Sequence, residues 1–247
     1  MFSLDVNKIN CRYFSKGTQL ELFKEYYLEL LPPEEVLFPK FIQEHDAVLD
    51  LGCGAGRTTA HIRKLTDRVI GTDLSEVMID VARQKYADIE FRVMDASRLD
   101  YPDTSFDSVV FSYNGLCYLY PEQKRMDAIR EICRVLKPGG TFIFSSFNHY
   151  PPYTLSSLAN ILVTKLLMGF SSKYKIHLTR YGITVNYETT PDKEIELLES
   201  MGFCLKERLA MREKVGSLGY CPEIATYYVF SKGQRRSMAT GGAVSIS

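Results

Sequence analysis

Val48-Leu49-Asp50-Leu51-Gly52-Cys53-Gly54-Ala55-Gly56-Arg57 reads as a strand, a glycine turn and the start of a helix. With Ala47 in front, the first half is a short apolar run of the kind buried on both faces of a parallel sheet. Gly52, Gly54 and Gly56 then alternate. Glycine adopts positive φ freely and lets the backbone come close to a ligand. The helix that follows offers unpaired N–H groups. A strand, glycines and a helix in this order predict a nucleotide-type site at the end of a sheet strand.

The spacing selects among nucleotides. The dinucleotide fingerprint is G-x-G-x-x-G/A, whereas this turn is G-x-G-x-G. Asp50 stands two residues before the first glycine. A carboxylate there would repel a pyrophosphate and suit a ligand carrying an ammonium and a sulfonium. That contrast favours S-adenosylmethionine over NAD.

Working outward, apolar runs alternate with helical patterns. RVIGTD (68–73), IEFRVMD (89–95), FDSVVFSY (106–113) and TFIFSSF (141–147) read as strands two to five. Helices are predicted near 58–65, over 76–86 with Ser75 as N-cap, and from Pro121 to Leu136, stopped by Pro138-Gly139-Gly140. Such alternation implies βαβ units and a parallel sheet. A last helix at 192–201 precedes the strands FCLKERLAM (203–211) and EIATYYVFS (223–231), which read as an antiparallel hairpin on the sheet edge. The fold class is therefore α/β: a seven-stranded, mostly parallel, doubly wound sheet with N-terminal helices and a lid insertion after strand five. The expected division is a helical cap at 1–45, a cofactor-binding core at 46–148, a substrate lid at 149–190, the end of the core at 191–233 and a disordered tail at 234–247. In the cap, 18–30 and 34–43 read as helices, with Pro32-Pro33 ending the first. In the insertion one helix is expected.

Asp73 ends strand two, where an acid accepts hydrogen bonds from ribose hydroxyls. Asp95 ends strand three, beside Ala96, and can accept from the exocyclic amine of adenine. With Asp50 these acids lie along one sheet edge, at the carboxyl ends of strands, where open α/β sheets bind ligands.

Composition bounds the partners. Apolar residues make up 45% and charged residues 24%, ordinary for a globular chain. Thirty basic and thirty acidic side chains cancel, so the surplus of cations that binds nucleic acid is missing from the whole-chain balance. Of six cysteines none form a C-x-x-C pair, and no His sits at metal-ligand spacing beside one. Free thiols, a cytoplasmic setting and no metal are expected. No signal peptide is read at the N-terminus, and the apolar stretch 155–170 is too short and too polar to span a bilayer. The expected partner is a small molecule, not nucleic acid or membrane, in a monomer or homodimer.

These residues together resemble a class I S-adenosylmethionine-dependent methyltransferase. VLDLGCGAGR is similar to the family's first motif, VIGTDLS to the second, VMDASRLDYPDTSFDSVVFSY to the third and fourth, and RVLKPGGTFIFS to the stretch leading into strand five. The likeness spans about residues 46–148. It implies that Asp50, Gly52, Cys53 and Gly54 contact the methionine part of the cofactor, with Asp73 at the ribose, Asp95 and Ala96 at the adenine, and Arg57 and Leu74 as further contacts. Ser112 and Tyr113, ending strand four, would face the sulfonium and the methyl group.

The acceptor is less defined. Methyl transfer is an in-line displacement for which a protein aligns the acceptor, excludes water and, where needed, removes a proton. The regions expected to hold the acceptor are aromatic, with Tyr13, Asn114, Tyr118, Phe147, Tyr150 and Tyr187 as candidate contacts. They suit an apolar or aromatic molecule, methylated on nitrogen or oxygen, with carbon a lesser option. His149 and His177 are candidate general bases, and Tyr113 a candidate catalytic residue. Tyr150-Pro151-Pro152-Tyr153 is similar to the loop of amino-group methyltransferases, but it follows strand five instead of strand four, so that geometry does not transfer. The competing readings are a protein or peptide methyltransferase, an NAD-type oxidoreductase and a non-catalytic S-adenosylmethionine-binding module.

Overall fold

In the computed structural model, which describes residues 5–25, 28–148, 155–169, 172–179, 181–214 and 220–233, the quoted run forms β1 (Val48–Leu51), buried along its whole length. It pairs in parallel with β2 (Val69–Asp73) on one side and β4 (Phe106–Phe111) on the other. β3 (Glu90–Val93) extends the sheet beyond β2, and β5 (Leu136–Phe147) lies beside β4. β8 (Phe203–Lys214) and β9 (Tyr220–Lys232) close it antiparallel, giving the order β3-β2-β1-β4-β5-β9-β8. Seven strands and the antiparallel edge agree with the sequence reading.

Side chains of successive strand residues point to opposite faces, and the sheet uses both. Val48, Val110, Ile143, Tyr227 and Val229 pack against α3 (Pro32–Phe41), α4 (Arg57–Ile62) and α5 (Glu76–Lys85) through Leu37, Phe38, Ile62 and Ile79. Leu49, Val109, Phe142, Phe144, Tyr228 and Phe230 pack against α6 (Glu122–Val135) and α8 (Pro191–Ser200) through Ile129, Ile132 and Leu198. Each such side chain contributes about 1.5–3 kcal/mol on burial.

Four local readings change. An unpredicted helix, α1 (Val6–Ser15), opens the described chain, capped by Asp5, whose Oδ1 accepts the Lys8 N–H at 3.0 Å. α2 (Gly17–Glu25) is shorter than the predicted 18–30, because Leu28–Leu31 leave helical geometry. Pro32 and Pro33 start α3, where a missing N–H costs nothing. β5 begins at Leu136, so Pro138-Gly139-Gly140 lies inside an irregular strand opening instead of between elements.

The insertion after β5 holds the expected helix, α7 (Leu155–Met168), and an unexpected hairpin, β6 (Tyr174–Thr179) with β7 (Gly182–Tyr187). A hairpin leaves two rows of unpaired backbone groups. On β6, the Ile176 N–H donates to Thr164 Oγ1 at 2.9 Å and the Leu178 N–H to Asn160 Oδ1 at 3.2 Å, both on α7. On β7, Val185 donates to Asn10 Oδ1 at 2.8 Å and accepts from Asn10 Nδ2 at 2.7 Å, on α1. The result is a layer in the order α7-β6-β7-α1, held at its edges by three side chains. Its inner face, with Val6, Tyr174, Ile176, Val185 and Tyr187, forms a third apolar cluster around Cys117. The tail 234–247 lies outside the described residues.

Candidate functional site

The glycine turn is built by contact. Gly52 has φ +62°, and a Cβ there would meet Phe111 Cε2 at 2.7 Å. Gly54 has φ +56°, and nothing lies within 4 Å of where its Cβ would stand. That open space faces a cleft above the carboxyl ends of β1, β2 and β4. The Gly54 N–H donates to Asp73 Oδ2 at 3.0 Å, and Asp73 Oδ1 accepts the Ser75 N–H at 2.8 Å. Asp73 thus ties the ends of β1 and β2 together with its carboxylate on the cleft wall. Burial raises its pKa, and the backbone donors oppose that only in part.

Asp50 needs a correction. Its carboxylate is 1% exposed and is not part of the wall. Oδ2 accepts from the hydroxyls of Thr58 and Thr59, at 2.6 and 2.7 Å, so it anchors the start of α4 under the turn. Oδ1 is buried without a partner. Burial pushes its pKa up to about 6, the two threonine bonds opposing. Charge repulsion of a pyrophosphate therefore acts from beneath the site instead of by contact.

Below the turn lies a buried network whose long-range contacts to Glu34 carry no sequence-level signal. Glu34, fully buried near the start of α3, is bound by both terminal nitrogens of Arg57, Nη2 at 2.8 Å. It also accepts from the Ser112 hydroxyl, from Tyr227 Oη at 3.0 Å and from the Leu31 N–H at 2.7 Å. Burial alone would raise the Glu34 pKa; Arg57, Ser112 and Leu31 bring it below the ordinary value. Arg57 also donates to the Glu29 carbonyl at 3.1 Å and sits 5.9 Å from the Tyr113 ring centroid. Its guanidinium faces Glu34 while the residue still lines the cleft. The Cys53 thiol is kept protonated by burial and the charges of Asp50 and Asp73.

Asp95 lines the cleft beside Ala96. Oδ1 accepts from the Ser97 N–H and hydroxyl at 3.0 and 2.7 Å, and Oδ2 pairs with Lys124 at 2.6 Å. Lys124, from α6, reaches the same wall.

At the end of β4, Tyr113 and Asn114 are left-handed, φ 53° and 60°. Such a conformation is uncommon for residues other than glycine and clusters at functional sites. It is held by the Asn114 N–H, which donates to Ser145 Oγ at 2.7 Å. Tyr113 then packs edge-on to Phe23, centroids 5.6 Å apart. α1 forms the opposite wall with Asn7, Asn10, Cys11, Phe14 and Ser15, and Ser15 bonds Ser75 across the cleft at 2.6 Å. Phe14 contacts Tyr118 at 4.9 Å and Phe23 at 6.0 Å. Glycines and acids make one end; aromatic rings make the other.

Of the predicted residues, Gly52, Cys53, Gly54, Arg57, Asp73, Leu74, Asp95, Ala96, Ser112, Tyr113 and Tyr118 line this cleft. Asn114, Phe147, Tyr13 and Tyr187 are not on its described wall. Asn114 is buried behind Tyr113, and Phe147 backs Tyr118 at 5.9 Å. Tyr13 packs on Phe14 at 5.1 Å. Tyr187 covers the buried Arg125 guanidinium at 4.4 Å. His177 is likewise absent from the wall: its Nε2 lies 3.0 Å from Glu188 on the hairpin. His149 and Tyr150, with Tyr26, Tyr27, Tyr153 and Phe170, lie outside the described residues. Sequence reasoning missed Asn7, Asn10 and Ser15, because α1 was not read as a helix, and Lys124.

A glycine turn under a cleft, acids at the ends of β2 and β3 and this strand order define a class I methyltransferase fold. Comparison with known proteins agrees. Residues 48–140 match the family described as "Methyltransferase domain". A demethylmenaquinone methyltransferase of Clavibacter sepedonicus is 36% identical over 109 residues, 43% of this chain and 43% of the relative. A ubiquinone/menaquinone biosynthesis C-methyltransferase of Pseudomonas fluorescens is 28% identical over 191 residues, 70% and 69%. The chain thus spans under half of the first relative and about two thirds of the second. A crystal structure of an S-adenosylmethionine-dependent methyltransferase from Methanosarcina mazei superposes with a TM-score of 0.69 at 22% identity, covering 84% of this chain and all of that one. Residues 48–140 thus match a methyltransferase domain, and the fold is that of the S-adenosylmethionine-dependent methyltransferase from M. mazei.

Proposed function

We propose that this protein transfers a methyl group from S-adenosylmethionine to an apolar, aromatic small molecule. The carrying observation is one continuous cleft that runs from Asp73 and Asp95 to the rings of Phe14, Phe23, Tyr113 and Tyr118. The donor set fits the cofactor: Asp73 for the ribose hydroxyls, Asp95 and Ala96 for the adenine, and the open face of Gly54 for close approach. Bound there, the cofactor supplies a methyl group made electrophilic by its positive sulfur.

The chain's own residues do the rest. Asp73, held by two backbone N–H groups, accepts without reorganising. Lys124 shares Asp95 with the adenine. The Glu34–Arg57–Ser112–Tyr227 network fixes the end of β4 and so the Tyr113 ring. The aromatic end excludes water and aligns a flat acceptor, with α1 and the 149–190 insertion as cap and lid. His149 is the proposed base where the acceptor must lose a proton. The sequence reading favours nitrogen or oxygen as acceptor atom; the C-methyltransferase name of the P. fluorescens relative supports a ring carbon as a third option.

Incubation with methyl-labelled S-adenosylmethionine and a panel of phenols, hydroquinones and aromatic amines tests this. Label should enter at least one class, and product mass and NMR should give the atom. Cofactor binding without transfer to any of them would overturn the acceptor class. Asp73→Ala should weaken S-adenosylhomocysteine binding about a hundredfold by calorimetry, the loss of charge-assisted hydrogen bonds; unchanged affinity would remove Asp73 from the site. Turnover of His149→Ala that matches wild type at every pH would dismiss the base.

A further inference from the structure

Lys124 stands where local rules do not favour it. It lies in the first turn of α6, where the positive end of the helix dipole and unpaired N–H groups favour acids over cations. Its side chain is 21% exposed, and its Nζ pairs with Asp95 Oδ2 at 2.6 Å. A part-exposed pair of this kind adds little to stability. Both residues line the cleft, and departures from local preference concentrate at functional sites. The other cation on the described wall, Arg57, has its guanidinium bound to Glu34 and the Glu29 carbonyl.

Asp95 is held on both sides. Oδ1 accepts from the Ser97 N–H at 3.0 Å and the Ser97 hydroxyl at 2.7 Å, which fills its about two lone-pair sites. Oδ2 takes Lys124 and keeps one site, so the amine of a bound base has one place to donate. Burial would raise the Asp95 pKa, but Lys124 and Ser97 bring it below the ordinary value. At neutral pH the group is therefore an ionised carboxylate that only accepts. Beside Oδ2, the Lys124 ammonium carries three donors, one of them directed at Asp95. The wall thus presents an acceptor and a donor side by side. Adenine presents the converse: its 6-amino group donates, and the ring nitrogens that flank it, N7 on one edge and N1 on the other, accept.

With the cleft read as the S-adenosylmethionine site, on which this step rests, we propose that Lys124 is a specificity-determining residue that donates to the ring nitrogen beside the adenine amine. With Asp95 it reads the base as a donor next to an acceptor. The test is calorimetry of the full chain with S-adenosylhomocysteine and with its 7-deaza and 1-deaza forms, in which a C–H replaces the ring nitrogen. Wild type should bind at least one deaza form about ten- to a hundredfold more weakly than the parent, the loss of a hydrogen bond from a charged donor. Lys124→Met should bind the parent more weakly and should bind that deaza form and the parent alike. Its melt without ligand should stay near wild type, which separates base reading from folding. The wild-type comparison needs no variant, so it decides even where Lys124→Met does not fold. Equal binding of all three ligands by wild type would overturn the role of Lys124, and so would a discrimination that Lys124→Met keeps in full. Failure of wild type to bind S-adenosylhomocysteine at all would instead remove the cofactor reading, and the role of Lys124 with it.

Discussion

Two buried glutamates, each paired with an arginine, behave in opposite ways. Glu34 under the cofactor end binds Arg57 twice and accepts from Ser112, Tyr227 and Leu31 as well. Those partners hold it below its ordinary pKa. Glu194, on α8, has Arg125 as its hydrogen-bond partner. Its Oε2, and the Nε and Nη1 of Arg125, have no hydrogen-bond partner. Burial dominates there and raises the Glu194 pKa against the pull of Arg125. The first pair is a satisfied network wired to the cleft wall. The second is a bare pair, packed beneath Tyr187 of the insertion. A buried ion pair repays its desolvation only when its remaining donors and acceptors are met.

That contrast can be broken directly. Glu34→Ala leaves Arg57 buried without its carboxylate and should cost about 3–5 kcal/mol in denaturant unfolding. Arg125→Met should cost as much, because it strands Glu194. The double variant Arg125→Met with Glu194→Leu should recover most of that loss, or exceed wild type. A Glu34→Leu with Arg57→Met double variant should not recover, since Ser112, Tyr227 and Leu31 lose their acceptor. Equal recovery at both sites would end the distinction.

A second test uses pH. The Asp50 pKa rises from 3.8 to about 6 on folding. A raised carboxyl binds its proton more tightly in the native state, so stability falls as pH rises from about 4 to about 6, by about 3 kcal/mol in all. Asp50→Asn should remove that component from urea midpoints measured across the range. An unchanged slope would mean that Asp50 does not titrate in this environment. Glu34 has the opposite sign: its contribution is present above 4.5, its unfolded value, and is lost on acidification.

The smallest expected effect concerns the edge of the insertion. Asn10 bonds both backbone groups of Val185 and the Tyr118 carbonyl. Asn10→Ala should cost about 2 kcal/mol for the polar groups left buried. It should also speed amide exchange at Val185 relative to β1. Equal protection in both places would mean that α1 does not hold the hairpin.

The two regions also differ in how far the sequence reveals them. The β1 turn, Asp73, Asp95 and the five parallel strands are legible because local rules determine them: apolar runs, glycines and acids at strand ends. The Arg57–Glu34 network is not, since its members stand 23, 78 and 193 residues from Glu34. Only the contact from Leu31, three residues away, had a local signal. α1 packs Val6 and Ile9 into the third apolar cluster and Phe14 against Tyr118, but Asn10 and Ser15 are buried beside them, and these polar residues obscure the helical stripe in the sequence. The β6–β7 hairpin was hidden by aromatics that read equally well as lid or core. Asp50, expected from the sequence at the cofactor, lies beneath the turn and bonds Thr58 and Thr59 instead.

Thermal melting with S-adenosylhomocysteine, and in parallel with NAD, shows which nucleotide the cleft binds. A ligand that binds the native state stabilises it by about 2.7 kcal/mol at a hundred times its Kd, a rise of roughly 5–10 °C for a chain of this size. S-adenosylhomocysteine should give that rise and NAD none. A rise with NAD alone, or with neither, would contradict the cofactor reading.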